Sequence, residues 1–335
     1  MAFFSFRFQA MRILLLDYLE YLPMRAATAL VDVLPVRAAL SAARGIGRLS
    51  WHLLRKRRRT AIRNVMLSGI TTDTAEAVRI ARASFESFAM LSVESLKAMK
   101  VLTPDTVNEH VTFSLPPATQ ALIDKAGQPV IFASAHLGNW EISGHLISFS
   151  KPLVAVARTL DNPFAQRFLA KRNPRRRIEI VAKHSRDRLA LLRPLRSGKF
   201  LGLICDQHAA SNGVEVSFFG RPAQTVTSPA RMHLATGVPI VFGVCFRTGP
   251  MQFEMAASEP LSIEPTGDRE ADIRAITQRI CDITEHFILR HPEQYLWAHR
   301  RWRGKAADPS IPTSFFAQEA HSVGSPTTTS PSTST

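Results

Sequence analysis

The sequence has few cysteines, and they lie far apart. Only Cys205, Cys245 and Cys281 occur among 335 residues, and no two of them are separated by the short spacing of a CxxC pair. Such a set provides neither a disulfide framework nor a thiolate zinc site. The cysteine pattern therefore excludes the disulfide-rich secreted class and is typical of a reducing compartment.

Acidic residues are also scarce relative to basic ones. The chain has 27 Asp and Glu against 42 Lys and Arg, a formal net charge of +15. A surplus of this size indicates anionic partners, such as nucleic acid, a lipid surface or an acidic protein. The runs "RKRRR" (55–59) and "RRR" (175–177) lack interleaved aromatics, and no nucleic-acid-binding motif is recognisable. We expect a membrane surface or an acidic carrier protein rather than nucleic acid, and keep a basic nucleic-acid-binding protein as the alternative of a different class.

No apolar run is long enough to span a bilayer convincingly, which requires roughly 18–20 residues. The N-terminus, "MAFFSFRFQAMRILLLDYLEYLP", is apolar but is interrupted by Asp17 and Glu20, and no small-residue cleavage site follows. A signal peptide is therefore not expected. Two interpretations stay open: a segment that lies on the membrane surface, or an ordinary helix that packs on the domain.

What the chain does have is a helical first third followed by alternating strand and helix patterns. Hydrophobic residues make up 45% of the sequence, enough for a packed core. Residues 1–105 predict a helical N-terminal region with a membrane-contacting segment. Residues 106–305 predict an α/β core with a mixed, largely parallel central sheet and flanking helices, because short apolar runs alternate with helical patterns. Residues 306–335 are rich in Ser, Thr and Pro and predict a disordered tail.

The stretch "SAHLGNWE" (134–141) places a histidine and a glutamate five residues apart, directly behind an apolar run. In a continuous helix this spacing would point the two side chains about 140° apart. They can meet if His136 ends a strand and Glu141 begins the next helix, with Asn139 as the N-cap. The carboxyl ends of strands are where ligands bind in open α/β sheets. The sequence therefore predicts a functional site at this turn.

A histidine paired with a carboxylate suits proton abstraction from a hydroxyl. The neutral imidazole takes the proton, and the carboxylate fixes the tautomer and stabilises the imidazolium. The alternative is a core histidine with a helix-capping glutamate. A metal site through His136, Glu141 and His145 is not expected, because the three do not share one side of a regular element.

"HLGNWE" resembles the HX4(D/E) motif of glycerolipid acyltransferases, in the form found in the bacterial lipid A biosynthesis acyltransferases. Other blocks resemble that family in the same order: "VAVARTLDNPFAQRFLAKR", "LGLICDQHAASNGVEVSFFGRPAQT" and "HPEQYLWAHRRWRG". Together with the basic "RKRRRTAIRNV", the similarity extends over roughly residues 10–305. The resemblance implies the glycerolipid-acyltransferase fold and the transfer of a fatty acyl chain from an acyl thioester to a hydroxyl of a glycolipid.

The resemblance also implies roles for individual residues. His136 would be the general base and Glu141 its orienting partner. Arg158, Asn162 and Arg172 match the second block and would bind substrate, since a guanidinium is a permanent planar fork of donors. Asp206 would also contact substrate or orient an arginine. The alternatives are a structural ion pair for Arg158 and a strand-end cap for Asp206, and the match of Arg172 is loose because "KRNPRRR" offers several arginines.

The resulting hypothesis is a membrane-associated O-acyltransferase without a metal or other cofactor. Its partners would be an acyl-ACP or acyl-CoA donor, a glycolipid acceptor and the membrane surface. The acceptor would be a lipid A precursor, with another glycolipid such as a phosphatidylinositol mannoside as the alternative within the enzyme class. The expected location is the cytoplasmic face of the inner membrane, in a peripheral or shallowly anchored form.

Overall fold

The computed structural model describes residues 2–157, 160–172, 177–182, 190–209, 213–261 and 263–303. The predicted tail, residues 306–335, and Arg158 lie outside these ranges. In chain order the helices are α1 (Ala2–Val33), α2 (Val36–Leu53), α3 (Arg55–Leu67), α4 (Thr74–Val101), α5 (Val107–His110), α6 (Pro117–Asp124), α7 (Trp140–Ser150), α8 (Pro163–Arg172), α9 (Leu192–Arg196), α10 (Ser228–Thr236) and α11 (Arg269–Arg290). The strands are β1 (Val111–Ser114), β2 (Ile131–Ser134), β3 (Leu153–Ala157), β4 (Ile178–Ala182), β5 (Phe200–Ile204), β6 (Gly213–Phe218), β7 (Arg221–Val226), β8 (Ile240–Gly249) and β9 (Gln252–Ala257).

The larger sheet is mixed and mostly parallel, as the sequence predicts. Its strand order is β1-β9-β8-β2-β5-β3-β4, and β2, β3, β4, β5 and β8 all run in the same direction. β9 pairs with β8 in the antiparallel sense, and β1 is parallel to β9. β6 and β7 form a separate antiparallel hairpin. The α/β fold class is confirmed.

Helices cover both faces of this sheet. Ile131 and Ala133 of β2 face the core that includes Ile276 of α11, whereas Phe132 faces the opposite core with partly buried Ile147 of α7. This alternation follows from the two-residue period of a strand, which points successive side chains to opposite faces. β2 is therefore central and buried on both sides, and its carboxyl end is held firmly.

The N-terminal third is helical, also as predicted. Asp73 caps α4 by accepting hydrogen bonds from Ala75 N and Glu76 N. The run "WHLLRKRRRTAIRNVM", with a single helical pattern in the sequence, is divided between two helices. The break falls at Leu54, which has φ −92° and ψ +58° and belongs to neither α2 nor α3. This bend lets Trp51 and Ile62 pack into the same core.

The first two helices carry apolar side chains that the described part of the protein does not cover. The exposed aliphatic residues are Leu16, Leu19, Leu22, Leu30 and Val33 on α1 and Ile46, Leu49 and Leu53 on α2. Val33 is 78% exposed and Leu53 is 69% exposed. Among the described residues, no helix combines the length and apolarity needed to cross a bilayer.

Candidate active site

His136 lies in the turn between β2 and α7, where the strand–turn–helix interpretation places it. β2 ends at Ser134 and α7 begins at Trp140. Asn139 is the N-cap, and its Oδ1 accepts a hydrogen bond from Ile142 N at 3.1 Å. Gly138 has φ +60°, a left-handed conformation that favours glycine. The turn thus exposes the histidine at the carboxyl edge of the sheet.

Asp206 is the carboxylate that holds His136. β2 and β5 are parallel neighbours with Ser134 opposite Ile204, so the residues two positions beyond each strand end lie side by side. Asp206 Oδ1 is 2.8 Å from His136 Nδ1, and its Oδ2 accepts the His136 backbone N–H at 3.0 Å. An ionised Asp206 places the imidazole proton on Nδ1 and leaves Nε2 as the basic nitrogen. Gln207 Nε2 lies 3.3 Å from that nitrogen.

Asp206 is buried yet stays ionised. Burial would raise the pKa of its carboxyl, but the charge and hydrogen bonds of His136, with a further contribution from Arg301, outweigh burial and hold the pKa below its ordinary value. An opposite charge in contact favours the charged form of a carboxyl group. The ionised Asp206 can therefore orient the neutral imidazole of His136 and stabilise the imidazolium that forms when the ring accepts a proton.

The contacts of His136 bear on the roles expected for the two carboxylates. Glu141 is the second residue of α7, in the first turn, as predicted. The ring nitrogen Nδ1 of His136 is bonded to Asp206, for which substrate contact or the orientation of an arginine was expected. The catalytic role of Glu141 and the substrate contact of Asp206 stay predictions, and the structure adds the contact between Asp206 and the imidazole. The spacing argument could not find this, because Asp206 approaches from a neighbouring strand and not from the same turn.

Aromatic rings form one wall beside His136. The ring of Trp140 packs edge-on against the imidazole with centroids 4.9 Å apart. Phe88 of α4 lies 5.9 Å from Trp140 and is 45% exposed. An apolar wall next to the base suits a substrate with a hydrocarbon part and keeps water away from the reacting atoms.

The C-terminal segment Pro292–Trp297, called here the closing segment, holds the turn from behind. Leu296 N donates to His136 O at 3.0 Å, and Gly138 N donates to Gln294 O at 3.0 Å. Asn139 N donates to Cys245 O of β8 at 2.7 Å. These contacts use the backbone groups of the turn, so its conformation is set by two distant parts of the chain.

A buried ion pair lies behind Asn139. Glu94 of α4 is fully buried and bonds Arg247 of β8 through both carboxylate oxygens. Asn139 Nδ2 donates to the same carboxylate at 3.0 Å. The Gln294 amide binds both the N–H and the C=O of Arg247. The N-cap of α7 is thus tied to α4, β8 and the closing segment through one fully paired network.

The described residues include only part of the second sequence block. Asn162, which was expected to bind substrate, caps α8 through its Oδ1 by accepting from Phe164 N and Ala165 N. Its Nδ2 donates to Asp17 O at 2.6 Å. Both ends of the amide therefore serve α8 and its contact with α1, and substrate binding by Asn162 stays a prediction. Arg172 is the last residue of α8, and its side chain is not among those described.

Two residues of the closing region reach the site although sequence reasoning gave them no role in catalysis. Burial, and then the nearby charge of Asp206, raise the pKa of Tyr295 well above its ordinary value, so its hydroxyl stays protonated. Burial is the largest effect on His299 and lowers its pKa to about 4. The charge of Asp206 comes next and opposes burial, and the charges of His136, Arg303 and Arg301 then add to the lowering. Their only signal in the sequence was their place in the block "HPEQYLWAHRRWRG".

His145, the third residue of the metal alternative, points into the protein interior. Its Nε2 lies 3.0 Å from Leu102 O, and its ring packs against Phe149 with centroids 4.7 Å apart. Within the described residues, no group of three or more His, Cys, Asp or Glu side chains could hold a metal ion.

An α/β protein with a histidine in a strand–turn–helix at the carboxyl edge of the sheet fits the acyltransferase resemblance, and comparison with known proteins supports that resemblance. The chain matches the family described as bacterial lipid A biosynthesis acyltransferase over residues 7–304. The protein belongs to this family, which confirms the expected resemblance.

Two curated relatives are also similar to the chain. Both are described as phosphatidylinositol mannoside acyltransferase, from the CDC 1551 / Oshkosh and ATCC 25618 / H37Rv strains of Mycobacterium tuberculosis. Each is 26% identical over 183 residues, which is 53% of this chain and 55% of the relative. The match thus spans about half the length of these relatives.

Proposed function

We propose that this protein is an O-acyltransferase that moves a fatty acyl chain from an acyl thioester to a hydroxyl of a glycolipid. The observation that carries the proposal is the His136–Asp206 couple, which leaves Nε2 of His136 as a base at the carboxyl edge of the sheet. No side-chain nucleophile is required, because the acceptor supplies the hydroxyl. Membership of the lipid A biosynthesis acyltransferase family supports the same reaction class.

In the proposed reaction the acceptor hydroxyl approaches Nε2 of His136. The imidazole takes the hydroxyl proton as the oxygen attacks the thioester carbonyl, and Asp206 stabilises the resulting imidazolium. Collapse of the tetrahedral intermediate forms the ester and breaks the carbon–sulfur bond. The thiolate that leaves receives the proton from His136. Each proton and electron pair is accounted for, and His136 returns to its starting state.

The proposed acceptor is a lipid A precursor, because the family match covers nearly the whole described chain. A phosphatidylinositol mannoside is the second candidate, since the two curated relatives carry that name. Purified protein should be assayed with acyl-ACP and acyl-CoA against both acceptors, with product ester detected by mass spectrometry. His136→Ala should abolish transfer, and His52→Ala, which removes an exposed histidine of α2, should not. Retained turnover in a folded His136→Ala protein would disprove the mechanism.

We further propose that the protein works on the cytoplasmic face of the inner membrane and binds its surface through α1 and α2. The support is the exposed apolar set on these helices together with the exposed cations at the start of α3, Arg55, Lys56 and Arg57. Apolar insertion and attraction to anionic lipid act together in such binding. Flotation with anionic vesicles at low and high salt tests this. A protein that stays unbound to anionic vesicles at low salt contradicts the proposal.

A further inference from the structure

A group of cationic and donor side chains lies beside the active site. We call it the cationic rim and define it as Arg57, His299 and Arg303. Arg57 Nη1 donates to Ala298 O at 3.2 Å, which fixes α3 beside the end of the closing segment. Asn64 Nδ2, farther along α3, bonds His299 O at 2.6 Å. The rim is thus held in place by contacts between α3 and the chain around residue 299.

The rim lies close to the reacting nitrogen. His299 Nε2 accepts a hydrogen bond from His208 N at 3.2 Å. His208 follows Gln207, whose amide nitrogen is 3.3 Å from Nε2 of His136. A group bound at the rim would therefore belong to a substrate that is also within reach of the base.

His299 presents a fixed donor. Because Nε2 accepts the His208 N–H, the neutral ring carries its proton on Nδ1, and the lowered pKa keeps the ring neutral near pH 7. Within the described residues Nδ1 of His299 has no hydrogen-bond partner, in contrast to Nδ1 of His136. A neutral N–H of fixed direction is suited to an anionic acceptor.

The rim carries positive charge that no carboxylate neutralises. Arg57 and Arg303 are exposed, and neither forms an ion pair within the described part of the chain. On α2, by contrast, Arg44 and Arg48 both form ion pairs with Glu86. The nearest acid with an effect on His299 is Asp206, which is committed to His136. In the described part of the chain, the rim therefore offers donors and positive charge that no carboxylate of the protein binds.

The position of Arg303 is also fixed, because the two residues before it are buried. Arg301 is 2% exposed and bonds Gln224 O at 2.8 Å and Thr225 Oγ1 at 2.5 Å on β7. Trp302 is buried against Phe218, with ring centroids 5.8 Å apart. These two buried residues hold Arg303 at the edge of the site. Burial lowers the pKa of His208 most, and the charges of Arg303 and Arg301 lower it further.

From this arrangement we infer that the cationic rim is a phosphate-binding subsite of the active site. Guanidinium groups recognise phosphate through paired N–H donors, and the His299 N–H adds a third direction. The phosphate has two possible sources, the arm of the acyl donor or the headgroup of the acceptor. The inference rests on the proposed function only in assigning the phosphate to a substrate, since the binding itself can be measured without turnover.

Inorganic phosphate is the first probe. Its binding should be followed by the ring resonances of His299 in protein with isotope-labelled histidine, assigned with His299→Gln. In Arg57→Ala/Arg303→Ala the affinity for phosphate should fall about tenfold or more, as the loss of charge-assisted hydrogen bonds implies. Arg37→Ala/Arg279→Ala removes two exposed arginines elsewhere and should leave the affinity unchanged. Equal affinity in the two double variants would overturn the inference.

Substrates that lack one phosphate then identify the source. The rim variant should raise KM for the acceptor if the headgroup supplies the phosphate, and the effect should vanish with a dephosphorylated acceptor. If the donor supplies it, the effect should appear with acyl-phosphopantetheine and vanish with acyl-pantetheine. Unchanged KM for every substrate would overturn the subsite even if acyl transfer is found. If the unmodified protein shows no transferase activity but the rim variant still loses phosphate binding, the proposed function is refuted and the phosphate subsite stands.

Discussion

Replacing Asp206 with asparagine is the sharpest test of the active-site geometry. The aspartate uses one oxygen for the His136 backbone N–H and the other for Nδ1. Asparagine has only one acceptor end. If that oxygen keeps the backbone N–H, the amide nitrogen faces Nδ1, and the ring must carry its proton on Nε2. The basic nitrogen is then lost although the side chain has almost the same shape.

The expected loss follows from the role of the base. General base catalysis contributes about 10²–10⁴-fold, so kcat should fall by that factor, equivalent to roughly 3–5 kcal/mol in the barrier. KM should change little, because Asp206 is buried and both of its oxygens bond His136. Glu141→Gln is the matched control, since it makes the same chemical change five residues from the base.

The assay is steady-state acyl transfer with both kinetic constants, together with urea unfolding at several pH values. The lowered pKa of Asp206 means that its ionised form stabilises the fold above the unfolded pKa, about 3.9, and that this stabilisation disappears as the pH falls through the folded value. Asp206→Asn should therefore destabilise the protein at pH 7 more than at pH 3. Full kcat in Asp206→Asn, with loss in Glu141→Gln only, would refute the assignment of Asp206 and restore Glu141 as the orienting residue.

Three further predictions concern the supports of the site. Glu94→Gln alone leaves Arg247 buried without its counter-charge and should lower the free energy of unfolding in urea by about 3–5 kcal/mol. Glu94→Gln/Arg247→Met should recover most of that loss. Similar stability of the two variants would contradict the reasoning. Gly138→Ala should reduce both stability and kcat, because the added Cβ would lie 2.2 Å from a β8 carbonyl oxygen. Gly237 has a similar φ but open space around it, so Gly237→Ala should lower the free energy of unfolding by only about 1–2 kcal/mol and leave kcat unchanged. Between pH 6.5, its ordinary pKa, and about pH 4, its pKa in the folded protein, His299 binds fewer protons in the folded state than in the unfolded state. The free energy of unfolding should therefore decrease as the pH falls through this range. In His299→Gln that part of the drop should be absent, and an unchanged pH dependence would argue against the buried neutral ring.

The sequence predicted the turn at His136 well because its signals are local. A short apolar run, a glycine and an N-capping asparagine occur within ten residues, and each has a direct physical meaning. Local signals of the same kind stand at two other helix ends: Asp73 caps α4, and α10 ends at Gly237 with φ +69°. The strand β3 likewise coincides with a short apolar run, Leu153–Ala157.

Features that depend on strand order were not predictable in this way. That β5 is the neighbour of β2 determines that Asp206 meets His136. The hairpin of β6 and β7 and the antiparallel strand β9 were not predicted, although Val214, Val216 and Phe218 of β6 alternate with polar residues as in a strand. The proposed division at residues 105 and 305 stays a prediction. The sequence also showed Glu94 and Arg247 only as two charges far apart, because their pairing forms through packing of α4 on β8.

The bond from Leu296 to His136 has a consequence for the order of events during synthesis. The turn that carries the base receives one of its backbone partners from Leu296, far later in the chain, so a ribosome must translate past residue 296 before that partner exists. Contacts between such distant positions also form late in folding, because a long loop must close first. A nascent chain that already has its sheet core would consequently lack a set catalytic turn. Activity should arise in one late step, when the closing segment docks, and should therefore be absent from nascent chains stalled before residue 296.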